Sequence, residues 1–185
     1  MNIKLNKVSK SYGDKVVIDS FDYLFEDGKF YLLKGESGAG KTTTINLILG
    51  LTKPTSGDIN GDNRYSVVFQ ENRLLDDFSV IDNLRFVNPE LDIPTISSIM
   101  SSLIPGADIT KPVKTFSGGM KRRVAIARAI LAKSDVVIMD EPFTGLDSTA
   151  VNYASEFILS NIGKRTLILT THIYDSLEGF TVVGI

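Results

Sequence analysis

Eight consecutive residues, Gly35-Glu36-Ser37-Gly38-Ala39-Gly40-Lys41-Thr42, match the phosphate-binding pattern G-x-x-x-x-G-K-[ST] in full. Glycines at positions 38 and 40 let the backbone turn tightly and point several N–H groups inward, where the positive end of a following helix adds to the attraction for an anion. Lys41 then reaches the β- and γ-phosphates of a nucleotide, and the Thr42 hydroxyl is suited to ligate Mg²⁺. Such a loop carries this meaning only between a strand and a helix. Phe30-Tyr31-Leu32-Leu33 before it reads as a strand over 29–34, and Ile45, Leu47, Ile48 and Leu49 after it mark a helix over 43–49.

A second cluster is Val136-Val137-Ile138-Met139-Asp140-Glu141. A β-branched apolar run ending in two carboxylates places them at the C-terminal edge of a buried parallel strand, which is where ligands bind in open α/β sheets. Asp140 suits a direct or water-mediated contact to Mg²⁺. Glu141, one residue on, points elsewhere and is placed to accept a proton from, or to orient, a water attacking the γ-phosphate.

The elements that must position these groups follow from local pattern. Residues 2–8 and 16–25 read as strands joined by a turn at Tyr12-Gly13-Asp14. Residues 54–58 and 61–63 read as turns around a short edge strand, and 65–69 as a further strand. From 70 to 112 the chain becomes helical and loop-rich, with Ser79 as an N-cap answered by Asp82 and a helical apolar spacing over 96–104. Helices are expected over 117–133 and 149–162, and strands over 135–139 and 166–170. Strands alternating with helices predict an α/β fold with a covered, mainly parallel sheet.

With 185 residues, 43% of them hydrophobic, the chain can bury one good core and a small subdomain on it. A net charge of −2 gives no global field toward nucleic acid or anionic lipid. No cysteine is present, which excludes disulfides and thiolate metal sites. No apolar run opens the chain as a signal peptide would, and none approaches the roughly 18 residues of a membrane span, so a soluble protein is expected on the side of synthesis.

Phe116-Ser117-Gly118-Gly119-Met120 resembles the Leu-Ser-Gly-Gly-Gln signature of the ATP-binding cassette ATPases, and the helix Lys121-Arg122-Arg123-Val124-Ala125-Ile126-Ala127-Arg128-Ala129 that follows is similar to theirs. The resemblance covers nearly the whole chain in the family's order, with Phe116 and Met120 as departures within the signature. It implies a P-loop NTPase core of mainly parallel sheet, an N-terminal antiparallel β subdomain, and a small helical signature subdomain at about 71–133, all in one nucleotide-binding domain over 1–185. It also implies ATP and Mg²⁺. The nucleotide contacts carry over to Gly35, Glu36, Ser37, Gly38, Ala39, Gly40, Lys41, Thr42 and Thr43, with Tyr12 stacking on adenine. Asp147 lies in the dimer-interface loop Gly145-Leu146-Asp147. Gln70 matches the glutamine that senses metal and γ-phosphate, Asp140 and Glu141 the second nucleotide motif and catalytic base, and His172 the switch histidine. Thr42, Gln70 and Asp140 form the expected metal set, and Glu141, His172, Gln70 and Lys41 the catalytic one.

The same resemblance implies an assembly. Ser117, Gly118 and Gly119 of one subunit cover the nucleotide held by another, so a second nucleotide-binding subunit is needed, alongside integral membrane permease subunits and, for import, a solute-binding protein. No nucleic-acid partner is expected, and the location is the cytoplasmic face of the cell membrane. The chain ends at Ile185, soon after His172, and in this reading lacks the regulatory tail of many relatives. DNA-repair members carry long coiled coils between the nucleotide motifs and translation-associated members join two cassettes, whereas here the intervening segment is short and the cassette single. Phe69-Gln70-Glu71-Asn72-Arg73-Leu74-Leu75 and Val80-Ile81-Asp82-Asn83-Leu84 look like nitrate, sulfonate and taurine-type importers, favouring import over export. Leu74, Leu75, Phe78, Val80, Ile81 and Leu84 are expected either to line a groove for the permease or to pack the helical subdomain.

Overall fold

The computed structural model describes residues 2–172 and 179–185. Among them the chain forms β1 (Ile3–Tyr12), β2 (Lys15–Phe25), β3 (Phe30–Lys34), α1 (Lys41–Ile48), β4 (Ser56–Asn60), β5 (Tyr65–Val68), α2 (Val80–Val87), α3 (Ile93–Leu103), a 3₁₀ turn (Val113–Thr115), α4 (Gly118–Leu131), β6 (Val136–Asp140), α5 (Ser148–Asn161), β7 (Thr166–Thr170) and β8 (Thr181–Gly184). None of these helices is long and apolar enough to cross a membrane.

The central sheet has the order β5-β6-β7-β3-β8, and all its pairings are parallel. Strands β6 and β7 are buried along their whole length, which is why both read as unbroken apolar runs rather than alternating ones. The period of two still sorts their side chains between faces. Tyr31, Leu33, Val136, Ile138 and Ile168 join Ile45 and Ile48 of α1 and the inner residues Leu5, Val8 and Phe25 of the N-terminal hairpin. Leu32, Val137, Met139, Leu167 and Leu169 face the other way, onto Ile126 and Ile130 of α4 and Ala154 and Ile158 of α5. Helix α4 is therefore shared: its Val124 and Ala127 pack a third cluster with Val80, Leu84, Ile96 and Met100 of α2 and α3.

Three boundaries differ from the sequence expectation. The N-terminal strands run on to Tyr12 and from Lys15, because bulges that shift the β1–β2 register absorb the breaks in alternation. Strand β4 starts at Ser56, inside the expected 54–58 turn, and completes a second sheet of order β2-β1-β4. Gly57 makes this possible: at φ 82 it approaches the Asn6 and Lys7 carbonyls so closely that a Cβ would collide with both. Strand β8 has no counterpart in the sequence expectation; it is a short edge strand beside β3, with only Val183 buried. Edge strands of this kind carry little hydrophobic pattern.

Helix α2 begins with the expected capping box: Ser79 Oγ accepts from Asp82 N and the Asp82 carboxylate accepts from Ser79 N, both at 3.1 Å. The apolar set around it divides. Val80 and Leu84 are fully buried and Leu74 and Ile81 partly so against the same cluster, which corrects their reading as an exposed patch. Phe78 remains 55% exposed and Phe86, outside the expected set, 72% exposed. Leu84→Ala is accordingly expected to cost about 2–5 kcal/mol, and Phe78→Ala about 0.5 kcal/mol or less, as measured by urea denaturation of the two variants. Equal losses would contradict this division.

Candidate active site

Helix α1 starts without a side-chain cap, on Gly40 at φ 107. A Cβ on Gly40 would lie 3.1 Å from the Val17 carbonyl and 3.2 Å from Ile18, so glycine is needed here both for its dihedral and for the close approach of β2. The loop thus presents free helix N–H groups and the positive dipole end to the space beside it. Lys41 Nζ lies back over this loop, donating to the carbonyls of Gly35 at 2.8 Å and Glu36 at 2.9 Å.

The C-terminal end of β6 meets the start of α1. Thr42 Oγ1 donates to Asp140 Oδ2 at 2.8 Å, and Thr170 Oγ1, at the end of β7, donates to Asp140 Oδ1 at 2.6 Å. Asp140 is buried, so its charge is held by these two hydroxyls. Gln70, just beyond β5, brings its amide to 3.4 Å from Thr42 Oγ1. Glu141 adopts φ 51, a left-handed backbone that side chains rarely take. Its N–H donates to Thr170 O at 3.1 Å and Thr170 Oγ1 at 2.9 Å. Its Oε1 is buried without a hydrogen-bond partner among the described residues, although His172 Nε2 is 3.3 Å away.

These groups enclose one cavity of about 330 Å³. Ser37, Gly38, Gly40, Lys41, Thr42 and Thr43 line it from the loop side; Gln70, Asp140, Glu141 and His172 line it from the sheet edge. The expected residues from four separate parts of the chain are thereby brought together. Others are not. Tyr12 is 52% exposed at the hairpin end, with Lys10 Nζ 4.9 Å from its ring centroid, and does not line the cavity. Asp147 caps α5, accepting from Ala150 N at 2.9 Å. Ser117 caps α4 through Met120 N, and neither it nor Gly118 nor Gly119 reaches the cavity. Gly119 instead lies against Gly145 and Leu146 of the same chain.

Two residues of the site escaped sequence reasoning. Thr170 looked like the end of an apolar strand. Arg122 was legible only as one of three consecutive basic residues, yet it is 3% exposed and reaches both the Gln70 loop and the β6 end. Burial draws its pKa below the ordinary arginine value, and the nearby Asp140, Glu141 and Glu71 charges oppose that shift.

Thr42, Asp140 and Gln70 supply side chains with the hard oxygen donors that Mg²⁺ takes, and the first two already lie within a hydrogen bond of each other. They fit that ion. No group of three or more His, Cys, Asp or Glu able to hold a metal occurs among the described residues. With a single carboxylate among them, these residues would hold the ion together with oxygen donors from a bound ligand or water.

Residues 18–144 match the family model described as ABC transporter. The chain belongs to the ABC transporter family. Curated ABC relatives include the Nod factor export ATP-binding protein I of Cupriavidus metallidurans, 36% identical over 95% of this chain and 64% of its own length. That of Cupriavidus pinatubonensis is 37% identical over 95% of this chain and 60% of its own. This ABC chain thus spans about three fifths of the length of these relatives. Among solved structures, the ATP-binding subunit of an ABC transporter superposes with a TM-score of 0.85 at 25% identity, covering 100% of this chain and 86% of that one. A dimeric ATP-binding cassette in a post-hydrolysis state with ADP and phosphate superposes at 0.83 and 21% identity, over 99% and 94% of the two chains, a likeness of fold.

Proposed function

We propose that this ABC domain binds and hydrolyses ATP and that hydrolysis drives a membrane transporter. The observation that carries this is the convergence of Lys41, Thr42, Gln70, Asp140, Glu141 and His172 on one cavity at the glycine loop. In this reading the N–H groups of the loop and of the α1 start bind the β-phosphate, and Lys41 bridges the β- and γ-phosphates. Thr42, Asp140 and Gln70 would hold Mg²⁺, which when bound neutralises charge developing between the β- and γ-phosphates. The Glu141 oxygen without a hydrogen-bond partner among the described residues accepts a proton from, or orients, the water that attacks the γ-phosphate. His172, beside that carboxylate, contacts the γ-phosphate and reports its loss.

This cavity is open to solvent on one side, and Ser117, Gly118 and Gly119 of the same chain do not line it. We assign that side to the signature helix of a second copy, whose Ser117, Gly118 and Gly119 offer exposed N–H groups and a helix dipole to the γ-phosphate. Departure of the phosphate removes those contacts, so the nucleotide biases the dimer closed or open. The permease partner is assigned to the concave face of about 370 Å³ that includes Phe69, Arg73 and Phe86. It is adjacent to Gln70, so a change at the phosphate reaches it directly. A peripheral position on the cytoplasmic membrane face follows from such a partner. The names of the curated relatives favour export, and nothing in them supports the import expected from sequence or its solute-binding protein.

The test is phosphate release by the purified chain with ATP and Mg²⁺, beside equilibrium binding of a fluorescent ATP analogue. Saturable binding and steady release are expected. Lys41→Ala should weaken binding by about 10-fold or more, the scale of a lost charge-assisted phosphate contact of 1.5–3 kcal/mol. A chain that neither binds the analogue nor releases phosphate would refute the proposal.

A further inference from the structure

A buried guanidinium lies where three segments of the molecule meet, and backbone carbonyls make up most of its acceptors. Arg122, in the second turn of α4, donates through Nε to Pro142 O at 3.0 Å and through Nη2 to Asp140 O at 3.0 Å and to Glu141 O. Through Nη1 it donates to Gln70 O at 3.1 Å, to Phe69 O, and at 3.4 Å to Asn72 Oδ1. One side chain thus ties the signature helix to the end of β6 and to the loop that carries Gln70. Only a planar fork of five donors can serve two divergent strands of carbonyls at once; an ammonium at the end of a flexible stem cannot.

The backbone of Glu141 explains what this achieves. A left-handed conformation at a residue with a side chain persists only when its surroundings hold both flanking peptide groups. Thr170 holds the N–H side, at 2.9 and 3.1 Å. Arg122 holds the carbonyl side. The neighbouring arginines of α4 serve other ends: Arg123 donates to Gly119 and Leu103 carbonyls, and Arg128 to those of Asn72 and Arg73. Among these three arginines, Arg122 alone reaches Glu141.

We infer that Arg122 is a positioning residue for hydrolysis: its guanidinium holds Glu141 in its left-handed turn and fixes the spacing between Glu141 and Gln70. The inference rests on Glu141 being the water-activating group. Loss of the fork lets Glu141 relax toward an ordinary backbone, and the carboxylate leaves its place in the cavity while the phosphate loop is untouched.

The test uses Arg122→Lys, Arg122→Gln, Glu141→Gln and the double variant Arg122→Lys/Glu141→Gln in the full chain. Turnover, affinity for a fluorescent ATP analogue and thermal midpoint are measured for each. Arg122→Lys is expected to fold, to bind the analogue within about twofold of wild type, and to lose turnover by about 10-fold, the pattern of an interaction made toward the transition state rather than the ground state. In the Glu141→Gln background the same change should cost no more than about twofold, since it acts through the group already removed. A merely structural arginine would lower turnover by the same factor in both backgrounds. That multiplication, or full turnover in Arg122→Lys, overturns the inference. Failure of both Arg122 variants to fold does so too, by assigning the residue to stability. Undiminished turnover in Glu141→Gln overturns the underlying reading of the site, and this inference with it.

Discussion

Glu141→Gln is expected to bind ATP like the wild type and to turn it over about 10²-fold more slowly or worse, the contribution typical of a positioned general base. The substitution is nearly isosteric, and the bonds that hold residue 141 run through its backbone N–H and carbonyl. The fold and the phosphate loop should therefore survive. What changes is the Oε1 position, which is buried beside the cavity without a hydrogen-bond partner among the described residues. An amide there cannot take a proton. Losing the carboxylate also removes negative charge that faces the γ-phosphate, so the ATP-bound dimer should open more slowly. Phosphate release gives the first quantity, and light scattering with and without ATP the second. Wild-type turnover in a clean preparation would exclude Glu141 from the chemistry.

A comparable loss, about 10²-fold in turnover, is expected of Ser117→Arg, from the removal of transition-state donors on the partner's phosphate. The residue does not line the cavity of its own chain and caps α4 through Met120 N. Loss of that cap costs the helix about 1 kcal/mol, too little to unfold the domain, and analogue binding to the glycine loop should be unchanged. Mixing Ser117→Arg with Lys41→Ala distinguishes a shared site from a defect within one chain. A mixed dimer holds one composite site carrying both changes and one carrying neither, so ATPase activity should partly return on mixing. Absence of recovery, with mixed dimers shown to form, would place the signature helix outside the site.

The sequence by itself determined what is local. The glycine loop lay between an apolar strand and a periodic helix, so its anion-binding geometry was legible from composition and spacing alone. Ser79 and Asp82 declared the start of α2, and the run ending in Asp140-Glu141 declared a buried strand with its carboxylates at the ligand-binding edge. Each of these depends on the 2.0 or 3.6 residue period, or on backbone donors at a fixed offset. Only the tertiary structure decided which distant residues meet. Thr170 reaches Asp140 across 30 positions, and Arg122 reaches Glu141 across 19, because the sheet order sets β6 beside β7 and α4 crosses behind their ends. Val80 and Leu84 became core rather than surface because α3 and α4 fold over them. Strand β8 exists because β3 offers it an unpaired edge. Contacts of this kind arise from strand register and layer packing, which join segments far apart in the chain and leave no periodic trace in either one.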